Sequence, residues 1–194
     1  RVRERKIPVE EEPIKKLPHI TVEKTLGEDK SGEYRETQVV IRNSWTGEVS
    51  FKPPLSIAVP IQMKELIDFI NKDAEIHPVL KSGVVHYEFV RIHPFVDGNG
   101  RVARCLATLI LFQEGYDIRK FFSLEEYFDT DPANYYRALQ SVQASNEDLT
   151  TWLEYYTQGL AIELAKIKDR VERISVDGKL KKKLGGAHCK TKSI

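Results

Sequence analysis

Apolar residues recur through most of this chain at the three- or four-residue spacing of an amphipathic α-helix. This spacing predicts one helix after Pro60 and a second from about His77 to Ile92. A third helix is predicted from near Asn99, and Gly115 is its natural stop. The pattern therefore indicates a mostly helical protein.

Helix-capping residues predict further helices in the C-terminal half. Asp131 followed by Pro132 is typical of a helix start, because Asp caps free backbone N–H groups and proline suits the first helical position. Ser123 and Glu126 have the spacing of a capping box. A long last helix is predicted from near Asp148, since apolar positions continue at helical spacing beyond it.

The N-terminal part has a different pattern. Residues 1–30 are charged and interrupted by proline, which predicts an extended arm with a short helix near 20–26. Residues 38–51 combine β-branched residues with turn residues from Asn43 to Gly47, and Pro53 stops the second run. The predicted fold class is mainly α with one small β-hairpin.

Composition narrows the class of protein without identifying it. The 194 residues are 41% hydrophobic and 30% charged, which is typical of a soluble globular protein. A formal net charge of +1 argues against a general nucleic-acid-binding surface, although the segment 179–192 is locally basic. The cysteine pattern suggests neither a disulfide framework nor a metal site, and no apolar run is long enough for a membrane span. We therefore expect a cytoplasmic location and no membrane association.

The segment HPFVDGNGR, residues 93–101, concentrates residue types that form neither helices nor strands well. Glycine lets a ligand approach the backbone closely, and successive free N–H groups can form an anion-binding nest. A helix that begins here adds its partial positive charge. Gly98, Asn99 and Gly100 are therefore predicted to seat phosphate groups.

Charged residues flank this predicted anion site. Arg101 and Arg104 share one face of the first helical turn, where their guanidinium groups can bind phosphate oxygens. Asp97 would repel a phosphate unless a cation such as Mg²⁺ lay between them, and helix capping is its alternative role. His93 can act as a general base for an incoming hydroxyl. These residues together predict phosphoryl-type transfer, and the P-loop pattern is absent.

The stretch HPFVDGNGRVAR resembles the signature of the Fic family, His-x-Phe-x-[Asp/Glu]-Gly-Asn-Gly-Arg-x-x-Arg, at every fixed position. The segments VVHYEFVRIHPF, FKPP, MKELIDFIN and NYYRAL are also similar to Fic segments. The resemblance covers residues 20–158 and implies a Fic-like helical bundle with a small β-hairpin flap. An N-terminal arm, 1–19, would precede this domain. A C-terminal helix and basic tail, 159–194, would follow it and lead to a further module.

Most Fic proteins transfer AMP from ATP to a hydroxyl of a target protein and release pyrophosphate. The resemblance implies that His93 deprotonates the Ser, Thr or Tyr hydroxyl and that Asp97 binds Mg²⁺ on the α- and β-phosphates. Gly98, Asn99 and Gly100 would seat the phosphates, and the two signature arginines, Arg101 and Arg104, would bind the β- and γ-phosphates.

The same resemblance assigns roles outside the signature. Tyr135 and Tyr136 are similar to a family tyrosine pair near the base and ribose. The hairpin would be a flap that covers the nucleotide and binds the target as an added strand, through Val40, Ile41, Arg42 and Asn43. The expected partners are ATP and a target protein, and the long last helix is a candidate homodimer interface.

Two departures from the family pattern concern regulation and the base. Many members carry an inhibitory motif, [Ser/Thr]-x-x-x-Glu-[Gly/Asn], whose Glu pairs with the second signature arginine. The segments Ser44–Glu48 and Thr150–Glu154 have its spacing, but the next residue completes it in neither. Gln143 stands where similar proteins often have Asn, which leaves the adenine contacts open.

The sequence also allows other functions. The same fold can use another donor, with UMP, phosphocholine or phosphate as the transferred group, or can remove AMP from a modified target. A regulatory module coupled to a downstream DNA-binding unit is an alternative of another class. His86, seven residues before His93, is interpreted as a core residue, with support of the catalytic site as the alternative.

Overall fold

The computed structural model describes residues 7–21, 32–42, 47, 49–72, 75–116 and 124–187. Its helices are α1 (Glu11–Thr21), α2 (Val59–Asn71), α3 (Pro78–Ile92), α4 (Asn99–Gln113), α5 (Leu124–Thr130), α6 (Pro132–Ala144) and α7 (Thr150–Ala187). A two-stranded hairpin, β1 (Ile41–Arg42) and β2 (Val49–Phe51), lies between α1 and α2, and a short 3₁₀ helix, Ser56–Ala58, leads into α2. The mainly α fold class with one small hairpin is confirmed.

Helix α3 lies at the centre of the described fold, because it packs against α2, α4 and α7. One face of α3 joins an aliphatic core with α1, α2 and α4, which includes Ile14, Met63, Leu66, Val85, Phe89, Ile92, Val102 and Leu106. Burial of such side chains is the main favourable term in folding, at roughly 25 cal/mol per Å² of apolar surface. The last turn of α3 and the first turn of α4 are therefore fixed by the core that they share.

An aromatic cluster fills the space between α3, α5, α6 and α7. Its members include Tyr87, Phe128, Tyr135, Trp152, Tyr155 and Tyr156. The Trp152 indole N–H donates to the Gly83 carbonyl oxygen at 2.8 Å, and the Ser82 and Tyr156 hydroxyls lie 3.0 Å apart. These hydrogen bonds satisfy polar atoms that would otherwise be buried alone, so α7 has one preferred position against α3.

Asp131 and Gly115 act as the sequence predicts, and His77 is a cap that was not predicted from the sequence. His77 precedes α3 and its Nδ1 accepts from the Val79 N–H, while Asp131 precedes α6 and its carboxylate accepts from the Asn134 N–H at 3.0 Å. Gly115 follows α4 with a φ of +89°, which glycine adopts without strain. The predicted box between Ser123 and Glu126 lies partly outside the described residues.

The prediction of an extended N-terminal arm is wrong for residues 11–21, which form α1. The Asn71 side chain exchanges two hydrogen bonds of 2.8 Å with the backbone of Val9, and Ile14 is only 1% exposed. Tertiary contacts thus hold this helix although it contains Pro18, a residue that disfavours a helix interior. The helix predicted near 20–26 falls mainly in residues 22–31, outside the described part. The predicted boundary at residue 20 remains a prediction.

The hairpin is present but shorter than predicted. Strands β1 and β2 are antiparallel, with Ile41 opposite Phe51 and Arg42 opposite Val49. The Gln38 side chain donates to the Pro53 carbonyl oxygen at 2.9 Å, so side-chain bonds rather than a ladder hold the base of the hairpin. None of the described helices is long and apolar enough to cross a membrane.

Candidate active site

The loop between α3 and α4 carries the predicted catalytic segment. His93 follows the last residue of α3 in the left-handed region, with φ 51° and ψ 58°, and its N–H donates to the Phe89 carbonyl oxygen at 3.0 Å. Such a conformation is uncommon for a residue other than glycine. Two residues later, Phe95 is 1% exposed and packs in the aliphatic core. The loop therefore leaves α3 sharply and is fixed in the core.

Asn99 closes this loop on itself. Its side-chain oxygen accepts from the Phe95 N–H at 2.9 Å, and its side-chain nitrogen donates to the Phe95 carbonyl oxygen at 2.8 Å. The side chain is 3% exposed, so its amide is committed to the loop. Asn99 thereby organises the backbone of the predicted anion site, and any contribution of its own to ligand binding comes from its backbone.

Gly98 is the N-terminal cap of α4, with a φ of +86° and no side chain to occupy the free N–H groups of the first turn. An open depression lies at this helix end. Its lining consists of His93, Asp97, Gly98, Asn99, Gly100, Arg101 and Arg104. The structure thus brings every predicted residue of the signature into one site.

Each guanidinium group of the site has a carboxylate partner. Arg101 Nη2 lies 3.5 Å from Asp97 Oδ2, while Asp97 Oδ1 accepts from the Gly98 N–H at 2.6 Å. Arg104 Nη2 lies 2.5 Å from Glu125 Oε1, and the Arg104 side chain is 18% exposed. Since Arg101 and Arg104 each have five N–H donors, both retain capacity for an anionic ligand.

The half-buried imidazole of His93 is neutral at physiological pH. Burial lowers its pKa to about 4, and the positive charge of Arg35 acts in the same direction. The Val90 carbonyl oxygen and Asp97 raise the pKa, but by less. Nδ1 is buried without a hydrogen bond of standard geometry among the described residues. Nε2 is therefore the nitrogen that remains for a substrate proton.

A second cavity, which is mostly apolar, lies under the hairpin. Its lining comes from the hairpin, the C-terminal half of α3 and one face of α6, and consists of Ile41, Phe51, Tyr87, Val90, Arg91, Tyr136, Leu139, Gln140 and Gln143. Val90 and His93 are three residues apart at the same end of α3. This helix end therefore contributes to both cavities.

The two tyrosines of the predicted pair lie in different surroundings, one in the core and one at the apolar cavity. Tyr136 is 52% exposed and lines the apolar cavity. Tyr135 is 8% exposed, and its hydroxyl lies 3.1 Å from Nε2 of His86 within the aromatic cluster. Contact between Tyr135 and a nucleotide remains a prediction. His86 is fully buried, as interpreted from the sequence, and burial lowers its pKa to about 3.

The four predicted flap residues differ in position. Ile41 lines the apolar cavity, whereas Val40 and Arg42 are exposed on the hairpin. The Arg42 side chain donates to the Gly47 carbonyl oxygen at 2.9 Å. Asn43 lies outside the described residues.

Two residues near the site have no signal in the sequence. Arg35 is 3% exposed and donates to the His93 carbonyl oxygen, although 58 positions separate the two residues. Glu125 pairs with Arg104 across the gap between α4 and α5. The capping-box spacing indicates Glu126, the neighbouring residue. Pairing between two helices, as between Glu125 and Arg104, leaves no local pattern in the sequence.

The chain that forms this site matches a known protein family. The model of the Fic/DOC family matches residues 8–111, which is more than half of the chain. The chain belongs to the Fic/DOC family. The family match begins at residue 8, whereas the resemblance predicted from the sequence begins at residue 20. The match includes the depression at α4 and the hairpin.

Relatives and solved structures agree with this membership. "Protein adenylyltransferase Fic" of Nematostella vectensis is 37% identical over 103 residues, which are 51% of this chain and 22% of that protein. "Probable protein adenylyltransferase aq_aa38" of Aquifex aeolicus is 29% identical over 139 residues, 72% of this chain and 38% of that one. A Fic family protein from Desulfovibrio desulfuricans G20 superposes with a TM-score of 0.71 at 28% identity, over 87% of this chain and 48% of the other. This Fic-family chain thus spans only a minor part of its curated relatives.

Proposed function

We propose that this Fic-family chain is a protein adenylyltransferase, which transfers AMP from ATP to a Ser, Thr or Tyr hydroxyl of a target protein and releases pyrophosphate. The observation that carries the proposal is the single depression that joins a neutral imidazole to the first turn of α4 and its two arginines. The names of the relatives, protein adenylyltransferases, support the same reaction.

The phosphates would lie at the start of α4. The N–H groups of Asn99 and Gly100 in the first helical turn and the helix dipole favour negative charge there, beside the backbone of Gly98. Arg101 and Arg104 add positive charge from the same helical turn. Interactions of this kind stabilise the charge that develops on a leaving pyrophosphate.

The base would occupy the apolar cavity under the hairpin. Both that cavity and the proposed phosphate site have lining residues at the C-terminal end of α3, and the lining of the cavity is mostly apolar with an exposed aromatic ring, Tyr136. Sites of this type bind flat, largely apolar groups. ATP has an adenine at one end and a triphosphate at the other. The adenine would lie in the apolar cavity and the triphosphate in the depression at the start of α4.

The residues of the site fit Mg²⁺. Asp97 presents a carboxylate that is 45% exposed at the edge of the depression. Mg²⁺ is typically held by one or two carboxylates with substrate phosphates and water. When bound, the ion would neutralise phosphate charge. Among the described residues no larger cluster of His, Cys, Asp or Glu is present, so we assign the ion to Asp97.

The residues of the chain then have distinct roles in the transfer. His93 Nε2 takes the proton of the target hydroxyl as its oxygen forms a bond to the α-phosphorus. The bond between the α-phosphorus and the bridging oxygen breaks, and the electron pair leaves with pyrophosphate. The negative charge of a bound triphosphate raises the pKa of the nearby His93 from its low value, which makes the imidazole a stronger base.

The target protein would pair with the hairpin edge near Val40, Ile41, Arg42 and Asn43. An exposed strand edge can add an extended peptide by backbone hydrogen bonds, and β1 pairs with β2 alone in the described part of the chain. The homodimer and the cytoplasmic location remain predictions of the sequence.

Label transfer tests the proposed reaction. The protein is incubated with Mg²⁺, cell lysate and ATP labelled at the α- or the γ-phosphate. We expect α-label on protein without γ-label, and its loss in His93→Ala. His77→Asn is the matched control, because it changes a histidine at the other end of α3 and retains a capping side chain.

Other outcomes contradict the proposal in identifiable ways. Transfer of γ-label would make the protein a kinase. Absence of both labels, followed by transfer from UTP or CDP-choline, would retain the fold and change the donor. Transfer of α-label by His93→Ala would remove His93 from its role as the base.

A further inference from the structure

Arg35 places a positive charge inside the protein, and no carboxylate of the described residues pairs with it. Its side chain is 3% exposed, and each hydrogen bond that this side chain makes to a described residue goes to a backbone carbonyl oxygen. Burial lowers the pKa of this guanidinium group. A buried charge opposes folding unless its surroundings compensate for lost hydration. The groups that Arg35 contacts therefore indicate which parts of the fold it stabilises.

Those contacts join two parts of the protein. On one side, Nε donates to the His93 carbonyl oxygen at 2.8 Å and Nη2 lies 3.4 Å from that of Ile92, at the end of α3. On the other side, Nη1 donates to Thr37 at 3.3 Å and Nη2 to Pro54 at 2.5 Å. Thr37 precedes β1 and Pro54 follows β2, so one side chain connects the base of the hairpin to the His93 loop.

The backbone of Arg35 strengthens the same connection. Its N–H donates to the Pro94 carbonyl oxygen at 2.8 Å, so three successive carbonyl groups, 92 to 94, interact with Arg35. The last carbonyl groups of a helix lack partners within the helix. His93 also has an uncommon left-handed backbone conformation. By binding these carbonyl groups, Arg35 fixes the turn that sets the direction of the imidazole.

We propose that Arg35 is a positioning residue for AMP transfer, because it holds the base of the hairpin and the His93 loop in one arrangement. The inference rests on the proposed function. It implies that the cover over the nucleotide and the general base are set by the same side chain. Lysine cannot replace it, since only the planar guanidinium group presents donors in several fixed directions.

Hydrogen exchange tests this connection without any catalysis. In Arg35→Lys, we expect faster exchange in both 38–51 and 93–101, with α6 and α7 unchanged. Lys81→Met is the matched control, because Lys81 is another buried cation that donates to helix-end carbonyl groups, those of Ile70 and Lys72. We expect Lys81→Met to change exchange near the end of α2 only. Faster exchange in just one of the two Arg35 segments, in all segments equally, or in neither would overturn the proposal.

Kinetics separate positioning from a merely structural role. In Arg35→Lys, kcat for AMP transfer should fall about 10- to 100-fold, as expected for a misplaced base, and KM for ATP should rise. In Arg35→Met, the acid limb of the kcat/KM profile should also move to higher pH, since the lost positive charge no longer disfavours protonated His93. A loss of active protein alone would lower kcat and leave KM and the pH limb unchanged, which would overturn the proposal. If the wild type transfers no AMP, the proposed function fails while hydrogen exchange still decides the connection.

Discussion

At the scale of single residues, the site depends on side chains that organise backbone rather than on side chains aimed at a ligand. Asn99 is the clearest case. It lies within the signature, yet both ends of its amide bind Phe95. The proposed anion site is thus a backbone surface that a buried amide holds in shape.

Replacement of Asn99 by Asp should disrupt the loop although the change in size is small. The carboxylate can still accept from the Phe95 N–H, but it no longer donates to the Phe95 carbonyl oxygen. An unsatisfied buried acceptor costs about 1–3 kcal/mol, and a nearby negative charge opposes phosphate binding. We expect Asn99→Asp to lower the free energy of unfolding by that amount and to abolish measurable ATP binding in calorimetry. Unchanged ATP affinity would contradict a backbone site shaped by this amide.

Glu125 should act against nucleotide binding, because it pairs with Arg104 and adds negative charge beside the phosphates. Exposed ion pairs contribute about 0.2–1 kcal/mol, so Glu125→Gln should lower the Kd for ATP by about two- to fivefold. Glu126→Gln, on the same helix, is the control. Weaker ATP binding in Glu125→Gln would show instead that the carboxylate orients Arg104.

At the scale of elements, α3 connects the protein core to His93, the proposed general base. Its N-terminal half contacts α7 closely, and its C-terminal end carries His93. A Cβ atom on Gly83 would lie 2.9 Å from atoms of both Leu153 and Tyr156. Glycine is therefore required there for the close approach of two helices.

Gly83→Ala should separate α3 from α7 even though alanine is the better helix former. Overpacking of a core typically costs about 1–3 kcal/mol, which exceeds the gain of about 1 kcal/mol in helix propensity. We expect a lower midpoint in thermal unfolding and faster exchange of the Trp152 indole N–H, which bonds to Gly83. A midpoint unchanged in Gly83→Ala would show that the helices adjust freely.

The sequence predicts those elements whose signals are local. Helix α3 follows from its apolar periodicity, and the start of α6 follows from the Asp131 cap. The start of α4 and the proposed anion site follow from the glycines of the signature. Helix α1 was not predicted, because the bonds between Val9 and Asn71 that support it join residues 62 positions apart. The burial of Tyr135 and the contacts of Arg35 escaped prediction for the same reason, since neither leaves a pattern in neighbouring residues.

At the scale of the whole molecule, two neutral histidines make stability depend on pH. The pKa values of His86 and His93 are lowered to about 3 and about 4, below the ordinary value of about 6.5 in an unfolded chain. Between these values the unfolded chain binds more protons than the folded protein. The free energy of unfolding should therefore fall as pH decreases from 7 to 4.

His86→Phe should reduce this dependence. At pH 7 the variant should be less stable by about 1–3 kcal/mol, since the Tyr135 hydroxyl loses its partner. The difference from the wild type should shrink on acidification, because phenylalanine takes up no proton. Thermal unfolding between pH 4 and 7.5 measures both effects, with His77→Asn as the exposed control. Parallel curves for His86→Phe and the wild type would contradict a neutral, buried His86.

The start of α4 has a practical consequence, because the helix that presents the anion site continues directly into the aliphatic core. Any compound bound there shifts the unfolding equilibrium, by about 2.7 kcal/mol at a concentration of one hundred times its Kd. For a domain of this size, that corresponds to a melting-temperature increase of about 5–10 °C. A panel of nucleoside triphosphates and CDP-choline, read by dye fluorescence during heating, can thus rank the donors before any acceptor protein has been found.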